Sequence, residues 1–222
     1  VIASGTPFSP IIGAASNARK VTINPGATLT VNNTITISDT LEVNGTLAGT
    51  GTVVMNGAFR QLITGTTTPI QFSNLTISNA FDTVSLNTNI NVSGTLTLNT
   101  GVVFSPSATT VINNAAPAGT LTGTGVIRVT RIAATPDLVS QYRFTTYTLG
   151  TLSVEYAGLG NQTINNTVGN YGSLRITGTG TKTLQASTVT VNDLVSLESG
   201  TLATGGFNMT VANWQNIGGS MT

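Results

Sequence analysis

The sequence contains no cysteine and no histidine. Without thiol or imidazole it has no disulfide framework, no thiolate nucleophile, no histidine base and no thiolate–imidazole zinc site. Charge is scarce too: 7% of the 222 residues are Asp, Glu, Lys or Arg, against about 25% in an ordinary soluble domain. Eight basic against seven acidic residues leave a formal charge of +1. That balance excludes the basic stripe that nucleic acid or an anionic membrane demands, and also an acidic solvating tail. Apolar residues come singly or in pairs and never approach the ~18-residue run that spans a bilayer. No segment shows the 3.6-residue apolar period, so no helix is predicted. The expectation is a chain without cofactor or metal, without a nucleic-acid partner and without membrane insertion. Val1 is neither an initiator Met nor the start of a basic-then-apolar leader, and Gly218 to Thr222 carry no terminating signal. The chain therefore reads as a segment, or a processed product, of something longer.

In place of charge there are 43 threonines, 22 asparagines and 25 glycines. Threonine is β-branched and suits a pleated surface, while Asn and Gly tolerate the left-handed conformations of tight turns. Such a composition favours many short strands. Alternating tripeptides bear this out at Val21-Thr22-Ile23, Leu29-Thr30-Val31, Ile35-Thr36-Ile37 and Leu41-Glu42-Val43. From Leu29 through Leu47 to Val53 the starts fall six residues apart. Period-two alternation turns Val, Ile and Leu inward and Thr outward, and a six-residue step leaves about three residues of strand and three of turn. Hairpins that short scarcely pair. Short parallel strands stacked on the next coil satisfy their backbone fully, so an all-β, right-handed-type parallel β-helix (β-solenoid) is predicted.

The register returns at Ile90-Asn91-Val92 and Leu96-Thr97-Leu98, and again at Val189-Thr190-Val191 and Val195-Ser196-Leu197. The two stretches align at an offset of 99, with Leu75 over Leu174, Val92 over Val191 and Leu98 over Leu197. Residues 21–222 thus read as one solenoid of divergent super-repeats of roughly 100 residues (21–48 partial, 49–122 and 123–222). Residues 1–20, with Pro7 and Pro10, read as an N-terminal extended segment available as an inter-subunit or inter-repeat strand. Residues 126–171 depart from the rule, holding three arginines, all four tyrosines and Phe144. Longer strands are expected there, over 126–131, 141–149 and 152–156, in a widened coil or flap.

Several runs in this half carry a resemblance: Gly125-Val126-Ile127-Arg128-Val129-Thr130-Arg131, Gln141-Tyr142-Arg143-Phe144, Glu155-Tyr156-Ala157-Gly158 and Gly180-Thr181-Lys182-Thr183-Leu184. They resemble the β-strand repeats of giant cell-surface proteins of Bacteroidota, the gliding-motility and biofilm adhesins exported by type IX secretion. The resemblance covers residues 45–222. It implies an extracellular rod, stalk or filament, with no catalytic residues to carry over.

The acids Asp39, Glu42, Asp82, Asp137, Glu155, Asp193 and Glu198 form no obvious catalytic pair or calcium cluster and read as solvated turn residues, so no enzyme is expected. Arg128, Arg131, Tyr142, Arg143, Tyr147 and Tyr156 are candidate glycan contacts, since aromatic faces stack on sugars and arginine reads hydroxyls. The competing reading is a covering loop whose aromatics fill a widened core. Asp39-Thr40-Leu41 and Asp82-Thr83-Val84 are similar to the O-glycosylation acceptor of secreted Bacteroidota proteins, which marks Thr40 and Thr83. The outward pairs Thr28-x-Thr30, Thr34-x-Thr36, Thr95-x-Thr97 and Thr188-x-Thr190 invite an ice-binding reading. An ice plane needs one uninterrupted face, and outward sites are broken by Glu42, Asn91, Ser153 and Arg175.

Stacked coils of about 20 residues at ~4.8 Å give on the order of 11 coils and a rod of roughly 50 Å. Asn32, Asn44, Asn87, Asn99 and Asn192 are candidates for amide ladders along it. No cap is apparent at either end, so the partners expected are neighbouring repeats of the same chain or identical subunits end to end, with surface glycans the alternative.

Overall fold

The structure, a computed structural model, describes residues 1–3, 5, 9–133, 135–165, 167–185 and 188–222. It is an all-β solenoid of about ten coils, with parallel strands stacked coil on coil. Most strands are two to four residues long, and only Val189–Leu197 and Met209–Asn216 are longer. The long face is a ten-stranded sheet running from Val21–Ile23 to Met209–Asn216. A second face is a seven-stranded sheet from Ser16–Ala18 to Thr146–Tyr147. The third is broken into pieces of three, two and four strands, the last running from Gln162–Ile164 to Ser220–Met221.

The six-residue step makes these faces. Leu29, Ile35, Leu41, Leu47 and Val53 are all buried, while Thr30, Thr36 and Glu42 between them are half-buried on the outside. Three steps close one coil: Thr28 pairs with Thr46 and Thr34 with Thr52. Val, Ile and Leu from every coil merge into one core that runs the length of the rod. Burying each such side chain is worth ~1.5–3 kcal/mol, so stability resides in the stacking between coils.

Side-chain amides brace the corners. Gln61 is buried; its Nε2 donates to Ile37 O (2.9 Å) and Asp39 O (3.1 Å), and its Oε1 accepts from Gly57 N (3.0 Å). Gln162 repeats the arrangement with Val129 O (2.9 Å), Arg131 O (3.1 Å) and Gly158 N (3.0 Å). Yet Gln61 opens a strand of the long face and Gln162 one of the four-stranded piece. Likewise Leu75 lies on the seven-stranded face, whereas Leu174, its match at offset 99, lies on the long face. The second copy is turned by one face about the rod axis.

Coil length varies along the rod, and the coil through residues 130–145 is wide. Val154 follows its ladder partner Ile127 by 27 residues, where Val195 follows Leu174 by 21. This widened coil departs from expectation in its strands, which are Val126–Val129, Thr146–Tyr147 and Ser153–Tyr156. It also holds one helical turn, Leu138–Gln141, where none was expected. Asp137 caps it, accepting from Ser140 N at 2.7 Å, while Ser140 Oγ accepts from Asp137 N at 3.2 Å. A turn fixed by its cap carries no amphipathic period for the sequence to show.

One further expectation takes a definite form and another is corrected. The N-terminal segment pairs along its own rod: Ile11–Ile12 pairs with Thr30 and Val31, and Ser16–Ala18 with Ile35–Ile37. Pro7, part of that expectation, lies outside the described residues. The asparagines named for a ladder do not stack on one another. Asn99 Nδ2 donates to Ser78 Oγ (2.7 Å) and Asn44 Oδ1 accepts from Thr66 N (2.9 Å). Coil lengths vary, so turn residues drift out of line.

The seven-stranded face keeps its register. Its first outward rank is Thr34, Thr52, Asn74, Thr95, Thr120 and Thr146. A second, two residues further along each strand, is Thr36, Val54, Thr76, Thr97, Thr122 and Thr148.

Candidate functional site

Charge gathers on the long face. Register places Arg128, Glu155, Arg175 and Ser196 one above another on four successive coils. Arg128 Nε lies 3.1 Å from Glu155 Oε1, an ion pair whose Nε–H is not aligned as a hydrogen bond. Arg175 bridges upward and downward, with Nη1 3.2 Å from Glu155 Oε2 and Nη2 2.9 Å from Glu198 Oε1. Glu155 is buried and also accepts from Thr177 Oγ1 at 2.7 Å. An open trough of about 500 Å³ passes over this column, lined among others by Ser105, Arg128, Thr130, Ile132, Glu155 and Leu159. Ile132 and Leu159 are exposed at its sides.

The six residues marked as glycan contacts do not gather around the trough. Tyr142 and Tyr156 are 0% exposed, so neither offers a ring face to a sugar. Tyr142 packs edge-on to Phe104, with centroids 6.4 Å apart, and donates to Arg128 O at 2.8 Å. Tyr147 donates to Tyr142 O and accepts from Phe144 N at 3.1 Å. Burial pushes the hydroxyls of all four tyrosines upward. Arg143 donates to Asn114 O, away from Arg128, and the buried Nε–H of Arg131 has no hydrogen-bond partner among the described residues. Gln141 ties the segment shut: its Nε2 donates to Ser107 O, Thr110 O and Thr130 Oγ1, and its Oε1 accepts from Thr130 N and Arg131 N. The aromatics fill the widened coil, and Arg128 alone of the six faces the trough.

Thr40 and Thr83 open strands of the long face and are half-buried. Thr40 Oγ1 donates to Asp39 Oδ1 at 3.0 Å, and Thr83 N donates to Asp82 Oδ1 at 2.6 Å. Among the described residues no three carboxylates assemble into a metal-holding group. Asp39 and Glu42 face Arg19 and Lys20 at 3.7 and 3.4 Å instead. The Asn44 amide, with Lys20 and Thr22, holds the Glu42 carboxyl below its ordinary range.

Sequence reasoning passed over Lys182. The side chain is buried, and its ammonium donates to Gly158 O (2.9 Å), Gly160 O (2.6 Å) and Thr179 O (2.7 Å). Burial lowers it to about 8. Register sets it directly over Gln162, so lysine and glutamine brace one corner in successive coils. The recurring spacings Gly57-x-x-x-Gln61 and Gly158-x-x-x-Gln162 were the available signal. No family model, curated protein or solved structure matches the chain, and its own geometry carries the reading of its function.

Proposed function

We propose that the chain is a structural, non-catalytic length of an extracellular rod, the repeat segment of a bacterial surface adhesin or filament. The continuous core supports this reading most directly. The strand Met209–Asn216 completes the ladder, and its far edge has no strand beside it among the described residues. Trp214, Ile217 and Met221 stay exposed there, and no charge follows Glu198. An uncharged edge with apolar side chains accepts another coil, from the same chain or from a second copy. The bacterial surface setting rests on the resemblance of Glu155-Tyr156-Ala157-Gly158 and Gly180-Thr181-Lys182-Thr183-Leu184 to adhesin repeats. The ion-paired carboxylates favour a structural role over a catalytic one.

Negative-stain microscopy and sedimentation across concentration test the joining of ends. Threads one rod wide that lengthen with concentration are expected, with Asn213→Lys and Gln215→Lys together holding the chain as single rods. Particles that stay near the roughly 45 Å of ten coils at every concentration would overturn end-to-end assembly.

A further inference from the structure

The seven-stranded face combines three features. It carries no charge: none of the 15 charged residues lies in its strands. The residues that broke the outward pattern in sequence lie elsewhere, Glu42, Ser153 and Arg175 on the long face and Asn91 on the third. The interruption was an effect of reading three faces as one line. Folded, two ranks of six positions hold ten threonines, and no register shift interrupts the pairings behind them.

The hydroxyls supply the second feature. At the corners, hydroxyls bond to the protein: Ser73 donates to Gly49 O, Thr67 to Gly45 O, Thr130 to Pro106 O and Thr151 to Gly123 O. On the face, the hydroxyls of Thr36, Thr52, Thr76, Thr97 and Thr122 bond to no protein group among the described residues. They are left to face solvent. Thirdly, the array is two-dimensional: ~4.8 Å between coils and roughly 6.6 Å between ranks. Six coils carry it over roughly 24 Å.

We propose that this face is an ice-binding plane. The oxygen layers of ice repeat on a lattice of similar spacing, present neutral donors and acceptors, and offer no place for the hydration shell of a charged side chain. Threonine suits that surface twice over, since its methyl excludes disordered water and its hydroxyl hydrogen-bonds to the ordered layer. A charge on the face would hold its own shell of water against the lattice. The array departs from threonine at two sites. Val54 keeps the methyl groups and lacks the hydroxyl, and Asn74 turns its Oδ1 to accept from Thr95 N at 3.0 Å. The activity belongs to a face and is independent of whether the rod joins end to end.

Thermal hysteresis, and partition of the whole chain into slowly grown ice, test the proposal. The wild-type chain is expected to enter ice and to depress its growth temperature. Thr97→Tyr and Thr122→Tyr, central in the second rank, are expected to lose both activities while circular dichroism stays unchanged. Thr97→Val keeps the methyls and is expected to retain partial activity, which covers the case in which a tyrosine variant misfolds. Thr30→Tyr on the third face is the control and is expected to behave as wild type. A wild-type chain excluded from ice would overturn the proposal. So would folded Thr97→Tyr with full activity, or equal loss on Thr30→Tyr.

Discussion

Arg128 and Glu155 are 27 residues apart in sequence and face each other on adjacent coils of the long face, 3.1 Å from Nε to Oε1. Parallel stacking sets each residue above its counterpart, so a repeated charge would repel itself along the rod. The chain meets that constraint by leaving the seven-stranded face uncharged and by alternating sign on the long face, from Arg128 through Glu155 and Arg175 to Glu198. Glu155→Arg would put three guanidiniums on consecutive coils. Glu155→Gln is expected to cost about 1–3 kcal/mol, between the values of exposed and buried pairs, and Glu155→Arg more. Urea unfolding of both, and of Glu155→Arg with Arg175→Glu, reads the effect. An unchanged midpoint for Glu155→Arg would show that the column contributes nothing.

Gln61 and Gln162 make the same three hydrogen bonds at corresponding corners. Gln162→Met would fill the space and strand Gly158 N and Arg131 O, while Val129 O keeps its bond from Ala157 N at 3.0 Å. Leaving buried polar groups unpaired costs about 1–3 kcal/mol. Gln61→Met is expected to cost a similar amount, since its bonds are equivalent. Chemical denaturation of the two variants provides the comparison, and a large disparity would refute the equivalence.

Gly65 combines a positive φ of 149° with a close approach to the coil below, where an added Cβ would sit 1.9 Å from Val43 O. Neither backbone nor carbonyl can yield without parting the ladder. Gly65→Ala is expected to cost about 2 kcal/mol or more. Gly13→Ala, with open space around its Cβ position, is expected to be neutral. Thermal melts of the pair separate stacking from a general loss of glycine flexibility, and equal melting points would count against it.

The solenoid was legible because alternation and step length are local. Leu29, Ile35 and Leu41 announce both inward direction and strand length. Which face each strand joins was not legible, because it depends on the running sum of turn lengths. Coils that vary from 18 residues (Thr28 to Thr46) to 27 (Ile127 to Val154) leave the second copy one face out of step with the first. The ice-plane reading therefore looked interrupted by Glu42 and Arg175, although both lie on another sheet. Tyr142 and Tyr156 looked available for ligands because the apolar demand of a widened coil appears only once the coil closes. The pairing of Arg128 with Glu155 was hidden in the same way, since coil length decides which charges meet.

Lys182 is a cation in a corner where glutamine serves one coil below, and pH is expected to expose the difference. Burial draws its ammonium down to about 8, while the unfolded chain keeps the ordinary lysine value of about 10.4. Between these values the unfolded chain holds more protons than the folded one, so this residue's contribution to stability improves as pH rises through that window. Below about 8 the lysine is charged in both states, and the full cost of burying it remains. The three carbonyls act against this, since each takes one N–H of the ammonium and the neutral amine has only two. Lys182→Gln, which does not titrate, isolates the balance, because the buried tyrosines contribute equally to both proteins. Guanidinium unfolding at pH 7, 8.5 and 10 should show the wild type gaining on Lys182→Gln with each step. A wild type that instead loses ground over that range would mean that the carbonyl cage holds its proton more firmly than burial expels it, making Lys182 a built-in cation for the corner.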